Sequence, residues 1–91
     1  MTYQFNVPNG NYSVTLKFAE ISLKRKNARL FNVAINGSSV INNLDLVAIA
    51  GANVPYDLTF PVAVTNGAIS IVFTSVVNNA VINAIQIVPQ H

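Results

Sequence analysis

Apolar and polar residues alternate with a period of two along most of this chain. From Asn9 to Glu20 (NGNYSVTLKFAE), Tyr12, Val14, Leu16 and Phe18 fall on one side and Ser13, Thr15, Lys17 and Ala19 on the other. Successive side chains of a β-strand point to opposite faces, so the stretch predicts a strand with one large apolar face to bury. It ends on Glu20, in phase with the apolar set. An unpaired buried carboxylate is costly, so Glu20 requires a partner or a place at the rim of the core. The same alternation recurs in Tyr3, Phe5 and Val7, then in Phe31, Val33 and Ile35, and in a short return at Val40-Ile41. It continues in Leu58, Phe60, Val62 and Val64, in Ile69, Ile71 and Phe73, and in Ile85 and Ile87. Pro61 inside the fifth of these strands marks an edge or a bulge, because it has no N–H for a ladder.

Asn9-Gly10, Asn36-Gly37 and Asn66-Gly67 each stand between alternating apolar runs. Asn and Gly tolerate the positive φ of a type I′ turn, so each pair predicts a hairpin. Ser22 to Ala28 is a polar loop. Asn42 to Val54 reads as a long crossover with about one helical turn, ended by Gly51 and Asn53. Parallel sheets need crossover helices that this sequence lacks. About seven short strands separated by turn signals therefore predict a single all-β domain over residues 1–91, an antiparallel β-sandwich of the jelly-roll type.

Composition changes this picture in one respect. Of the 91 residues, 52% are hydrophobic and only 9% charged, where about 25% charged is usual. Either Asn, Ser and Thr cover the surface, or part of it is buried against another chain. Leu30, Ile49, Val72 and Val81 are apolar where a solvated surface is normally polar, and Leu30 and Val72 are out of phase with the inward sets of their own strands. These four predict a self-association face. Identical chains most often close with two-fold symmetry, so the expected assembly is a homo-oligomer, with a dimer as first choice.

Charge and candidate chemistry narrow the function classes. A net charge of +2 is too small to argue for nucleic acid. The basic loop Lys24, Arg25, Lys26 and Arg29 has no interleaved aromatic residue, so bases would find no stacking platform; it reads as a solvated loop, with an anionic contact as the alternative. The longest uncharged apolar-rich run, Leu46 to Ala52, is far short of the ~20 residues of a spanning helix. No stretch reads as a signal peptide, so no membrane partner is expected and the compartment is not set. Carboxylates are limited to Glu20, Asp45 and Asp57, and the single His is His91. No nucleophile–base–orienter set can be assembled, so no catalysis is expected. Calcium wants several oxygen ligands, so neither a metal nor another cofactor is expected. Tyr3, Tyr12 and Tyr56 are the rings that could stack on a ligand; Tyr12 is in phase with the core and reads as structural, with its hydroxyl at the rim. Tyr56 follows Pro55 in the crossover and is the better candidate for an exposed ring. Asn78 and Asn79 fall in a strand-end loop, as hydrogen-bonding amides for a ligand or as turn residues.

Four segments, FNVPNGNYSVTLKFAEI, RLFNVAING, LDLVAIAGAN and YDLTFPVAVTNGAISIVFTSVVNNAVINAIQI, occur in an order that resembles the malectin and malectin-like family of carbohydrate-binding domains. The resemblance runs from about Tyr3 to Val88. It implies a galactose-binding-domain-like jelly roll, often extracytoplasmic, that binds glucosidic oligosaccharides without catalysis. It further implies that this chain lacks the family's first strands and is a fragment or an engineered piece. In the family, the strand ending in Ala-Glu leads into an aromatic pair that stacks on the sugar; those positions hold Ser22 and Leu23 here. The family's late-loop Asp corresponds to Asn78. The resemblance thus implies a carbohydrate-binding module whose glucosidic site is weakened or lost, with any residual site on a rim of Ser22, Leu23, Tyr56, Asn78 and Asn79.

Overall fold

The computed structural model describes residues 1–21 and 23–90. Seven strands and one helical turn follow in order: β1 (Thr2–Asn6), β2 (Gly10–Phe18), β3 (Leu30–Ile35), β4 (Ser38–Leu44), α1 (Leu46–Ile49), β5 (Tyr56–Val64), β6 (Ala68–Val77) and β7 (Ala84–Gln90). They form two antiparallel sheets, a four-stranded one in the order β1-β6-β3-β4 and a three-stranded one in the order β5-β2-β7. The predicted antiparallel β-sandwich is the fold observed.

The core lies between the sheets, where the alternation requires it. Tyr12, Val14, Leu16 and Phe18 of β2 are buried, as are Phe31, Val33 and Ile35 of β3 and Ile69, Ile71 and Phe73 of β6. Phe18 and Phe31 meet across the layers with ring centroids 5.7 Å apart, and Phe31 and Phe73, on neighbouring strands of one sheet, lie 6.5 Å apart. Offset and tilted rings at such distances bury large apolar area with a favourable arrangement of their quadrupoles. The Tyr12 hydroxyl donates to the Pro8 carbonyl at 2.6 Å, so this buried ring keeps its polar tip satisfied at the rim.

Only one of the three Asn-Gly pairs makes a hairpin. Asn36 and Gly37 have φ of 49° and 81° and join β3 to β4, with Ile35 opposite Ser38. Both central residues have positive φ, as a type I′ turn demands. Asn9-Gly10 instead carries the chain from β1 in one sheet to β2 in the other, and Asn66-Gly67 carries it from β5 to β6. A turn signal reports a local reversal but not which sheet receives the next strand. Here the two corners lock onto each other: the Gly67 N–H donates to Asn9 Oδ1 at 2.8 Å, and the Val7 N–H to the Gly67 carbonyl at 3.0 Å.

The crossover contains the expected single helical turn. Asp45 caps α1 by accepting from the Ala48 N–H at 3.2 Å, the usual role of Asp before a first turn. Its other oxygen takes the Asn27 N–H at 2.6 Å. Both outer strands of the three-stranded sheet contain proline, Pro61 in β5 and Pro89 in β7. β4 is longer than the predicted Val40-Ile41, and its pairing with β3 shifts register twice. Among the described residues, no helix is long and apolar enough to cross a membrane.

Phe31→Ala is expected to lower the unfolding free energy by about 3–5 kcal/mol, a large part of the roughly 5–15 kcal/mol typical of a folded domain. Phe5→Ala, at a half-buried position, is expected to cost clearly less. Urea melts of the two variants check this; equal losses would show that the core is not centred on the Phe18–Phe31–Phe73 row.

Candidate functional site

Three connections converge at one end of the sandwich: the β2–β3 loop, the stretch between α1 and β5, and the β6–β7 loop. The residue that gathers them is Glu20. β2 delivers it in phase with the core, and its side chain is 2% exposed. Its partner comes from just before β3. Arg29 Nε donates to Glu20 Oε1 at 2.6 Å and Nη2 to Oε2 at 3.4 Å, and the Leu23 N–H donates to Oε2 at 3.3 Å. A guanidinium presents two parallel donors to a carboxylate, which makes such a pair both strong and directional.

The remaining arm of Arg29 donates to the Asn79 carbonyl, and Asn78 Nδ2 donates to the Ala28 carbonyl at 2.7 Å. The Asn53 N–H donates to the Glu20 carbonyl at 2.6 Å. One ion pair therefore sits at the junction of the three connections.

Beside the pair opens a cleft of about 360 Å³, lined by Met1, Tyr3, Ala19, Glu20, Ile21, Arg29 and Ala80 to Asn83. Ile21 is 71% exposed, and Tyr3 is 38% exposed. The Tyr3 ring is held edge-on to Phe73, with centroids 5.8 Å apart and planes at 86°. A larger open cleft of about 740 Å³, lined by Phe5, Val7, Tyr12, Ile87 and Pro89 among others, continues between β1 and β7. The smaller cleft combines an aromatic ring and an aliphatic side chain with a fixed guanidinium–carboxylate edge. Such a mixture sets an apolar face beside a polar rim.

The predicted site residues divide. Ser22 lies outside the described residues. Leu23 is half-buried and tied to Glu20 through its N–H. Tyr56 opens β5 opposite Phe18, on the flank of β2 away from the cleft, and is half-buried against the core. Asn78 and Asn79 sit at the converging loops, but an amide N–H of the first and the carbonyl of the second bind Ala28 and Arg29. Of the basic loop, Lys24, Arg25 and Lys26 are exposed, whereas Arg29 is half-buried in its ion pair. Leu30 and Val72 lie on β3 and β6 towards opposite ends, Leu30 paired with Val77 and Val72 with Ala34. Ile49 is on α1, and Val81 packs against the core from the β6–β7 loop. The sequence reading missed Ile21, and it named Tyr3 as one of three possible stacking rings but preferred Tyr56. The signal for Tyr3 was its phase with Phe5 on a strand that pairs with β6, which only the long-range topology reveals.

A model of the malectin domain matches residues 1–88. The chain belongs to the malectin domain family. Mouse malectin is 30% identical over 73 residues, which cover 77% of this chain and 25% of that protein. Receptor-like protein 4 of Arabidopsis thaliana is 34% identical over 92 residues, covering 96% of this chain and 15% of that protein. The chain thus spans about a quarter of the malectins it matches and less of the plant protein. Among solved structures, the ANX2 ectodomain of Arabidopsis thaliana superposes with a TM-score of 0.72 at 28% identity, over 81% of this chain and 22% of that one. A Bacteroides uniformis beta-glucuronidase shares the fold, with a TM-score of 0.89 at 24% identity, over 99% of this chain and 11% of the enzyme.

Arg29→Met is expected to destabilise the domain by about 3–5 kcal/mol, because it leaves a buried carboxylate without its counter-charge. Lys24→Ala, Arg25→Ala and Lys26→Ala are expected to stay within about 0.5 kcal/mol of the parent, as exposed substitutions do. Chemical denaturation of the four variants separates the structural arginine from the solvated loop. A mild effect of Arg29→Met would remove the ion pair from its organising role.

Proposed function

We propose that this chain is a non-catalytic carbohydrate-binding module of malectin type, with a weakened glucosidic site in the cleft beside Glu20 and Arg29. The observation that supports the reading is the lining of that cleft. Among the described residues, Tyr3 is its one ring, while Ser22 and Leu23 stand where the family resemblance calls for an aromatic pair. One ring offers part of the stacking surface that a sugar face needs, so the affinity is low. Glu20 is engaged by Arg29 and the Leu23 amide, which suits a carboxylate that shapes a site rather than one that transfers protons.

Maltose titration followed by NMR tests this. The parent is expected to show weak, saturable shifts at Tyr3, Ile21 and Asn83. The double variant Ser22→Tyr with Leu23→Phe is expected to bind roughly tenfold tighter, from aromatic contacts worth about 0.5–1.5 kcal/mol each. If neither protein shifts at any soluble maltose concentration, the module does not read glucosidic sugars in this cleft.

A second reading, a self-associating β-sandwich scaffold, has an observation of its own. Both clefts lie on the side where β1 and β7 are the outer strands, and Phe5, Val7 and Ile87 there are only half-buried. Apolar groups beside unpaired strand edges favour association with another chain. Light scattering over a wide dilution range checks it. A mass that stays monomeric at the highest concentration rejects this reading and leaves the sugar reading untouched.

A further inference from the structure

We propose that β1 is a strand-pairing edge onto which a second copy of this chain docks, antiparallel and two-fold about Gln4. The proposal rests on the self-association reading and names its interface. The sandwich has four outer strands, β1 and β4 in one sheet and β5 and β7 in the other. Three carry features that obstruct pairing. β5 has Pro61 near its middle, and β7 has Pro89. β4 has two register shifts against β3 and a left-handed residue, Asn43, at φ 52°. Prolines and bulges are the usual means by which sheet edges avoid other chains. β1 has neither, carries no charged side chain, and pairs with β6 from Thr2 to Asn6 without a shift.

The hydrogen-bond parity of β1 fixes which groups it offers. The Met1 amino group donates to the Phe73 carbonyl at 3.0 Å, and the Phe73 N–H returns to the Met1 carbonyl at 2.9 Å. The Val7 N–H bonds the Gly67 carbonyl. In an antiparallel ladder bonded pairs alternate, so Tyr3 and Phe5 also bond inward. The N–H and C=O groups of Thr2, Gln4 and Asn6 then point away from the sheet, and among the described residues no hydrogen bond takes them up.

The strand also matches itself. Thr2-Tyr3-Gln4-Phe5-Asn6 reads polar, aromatic, polar, aromatic, polar in both directions. Antiparallel pairing about Gln4 sets Gln4 against its own copy, Thr2 against Asn6, and Tyr3 against Phe5. The outward groups then form about six main-chain hydrogen bonds. The aromatic residues form two cross-strand pairs of the kind that stabilises sheets. Tyr3 and Phe5 line the smaller and the larger cleft respectively, so the second copy brings a ring to the mouth of each. The two four-stranded sheets become one continuous sheet.

Position 4 supplies the test, because its side chain meets its copy on the axis and its N–H points outward. Gln4→Lys and Gln4→Glu place like charges directly opposite each other and are each expected to raise the dimer Kd by about fivefold. A mixture of the two is expected to restore dimers as mixed pairs, which native mass spectrometry distinguishes. Gln4→Pro removes outward N–H groups without touching the inward bonds and is expected to raise Kd by roughly tenfold. Amide exchange should show Thr2, Gln4 and Asn6 protected in the parent at high concentration and open on dilution. A parent that is monomeric at every concentration overturns the self-association reading and this proposal together. A parent that associates, with the Gln4 variants associating equally well, keeps that reading and overturns the β1 interface. Loss of association in Leu30→Lys and Val72→Lys but not in the Gln4 variants overturns it likewise, in favour of the outer sheet face.

Discussion

A buried carboxylate at the end of the central strand sets the geometry of the loop end. β2 alternates strictly, so the residue that continues its apolar face is buried whatever its chemistry, and at position 20 that residue is a glutamate. Burial of a lone carboxylate costs several kcal/mol, and removing either member of a buried pair exposes that cost. The chain answers with Arg29, nine residues on, whose remaining donor reaches the β6–β7 loop. β2 belongs to the three-stranded sheet and β3 to the four-stranded one, so the pair also clamps the two layers. The cleft with Tyr3 and Ile21 is a by-product of that clamp. The loops it gathers form one wall of that cleft and the start of β1 the other.

Much of the fold was legible because it follows from side-chain period alone. Every predicted strand is present, and the inward residues of β2, β3 and β6 are those that alternation selects. Pro61 marked an edge or a bulge, since a residue without an N–H cannot serve a central strand, and β5 lies at an edge. Asn9-Gly10 and Asn66-Gly67 misled for a physical reason. Chain reversal is local, whereas the choice between pairing alongside and packing across is made by the whole core. Asn36-Gly37 looks no different in sequence and does form a hairpin.

The site was less legible than the fold. The need of Glu20 for a partner could be read directly, but the partner could not, since four cations follow it within nine residues. Geometry selects the one just before β3. Tyr56 stood out because it follows a proline in a connection, yet strand order puts it on the far flank of β2. Tyr3 was one possible stacking ring, ranked below Tyr56, and lines the cleft because β1 pairs with β6. Side-chain phase says which face a residue is on. It does not say which neighbours share that face when they come from the other end of the chain.

The strand order also bears on how the domain is made. Only β3 and β4 are joined by a tight hairpin and paired with each other. β1 waits for β6, with Thr2 against Val72, and β2 waits for both β5 and β7, with Tyr12 finally against Pro89. Non-local pairing of this kind is slow, because loop-closure entropy is spent before contacts return it. During synthesis from the N-terminus, β2 therefore emerges with its row of Tyr12, Val14, Leu16 and Phe18 uncovered. It keeps that row exposed until nearly the whole domain has left the ribosome. The same alternation that specifies the core so plainly makes the nascent chain prone to aggregate until β6 completes the facing sheet.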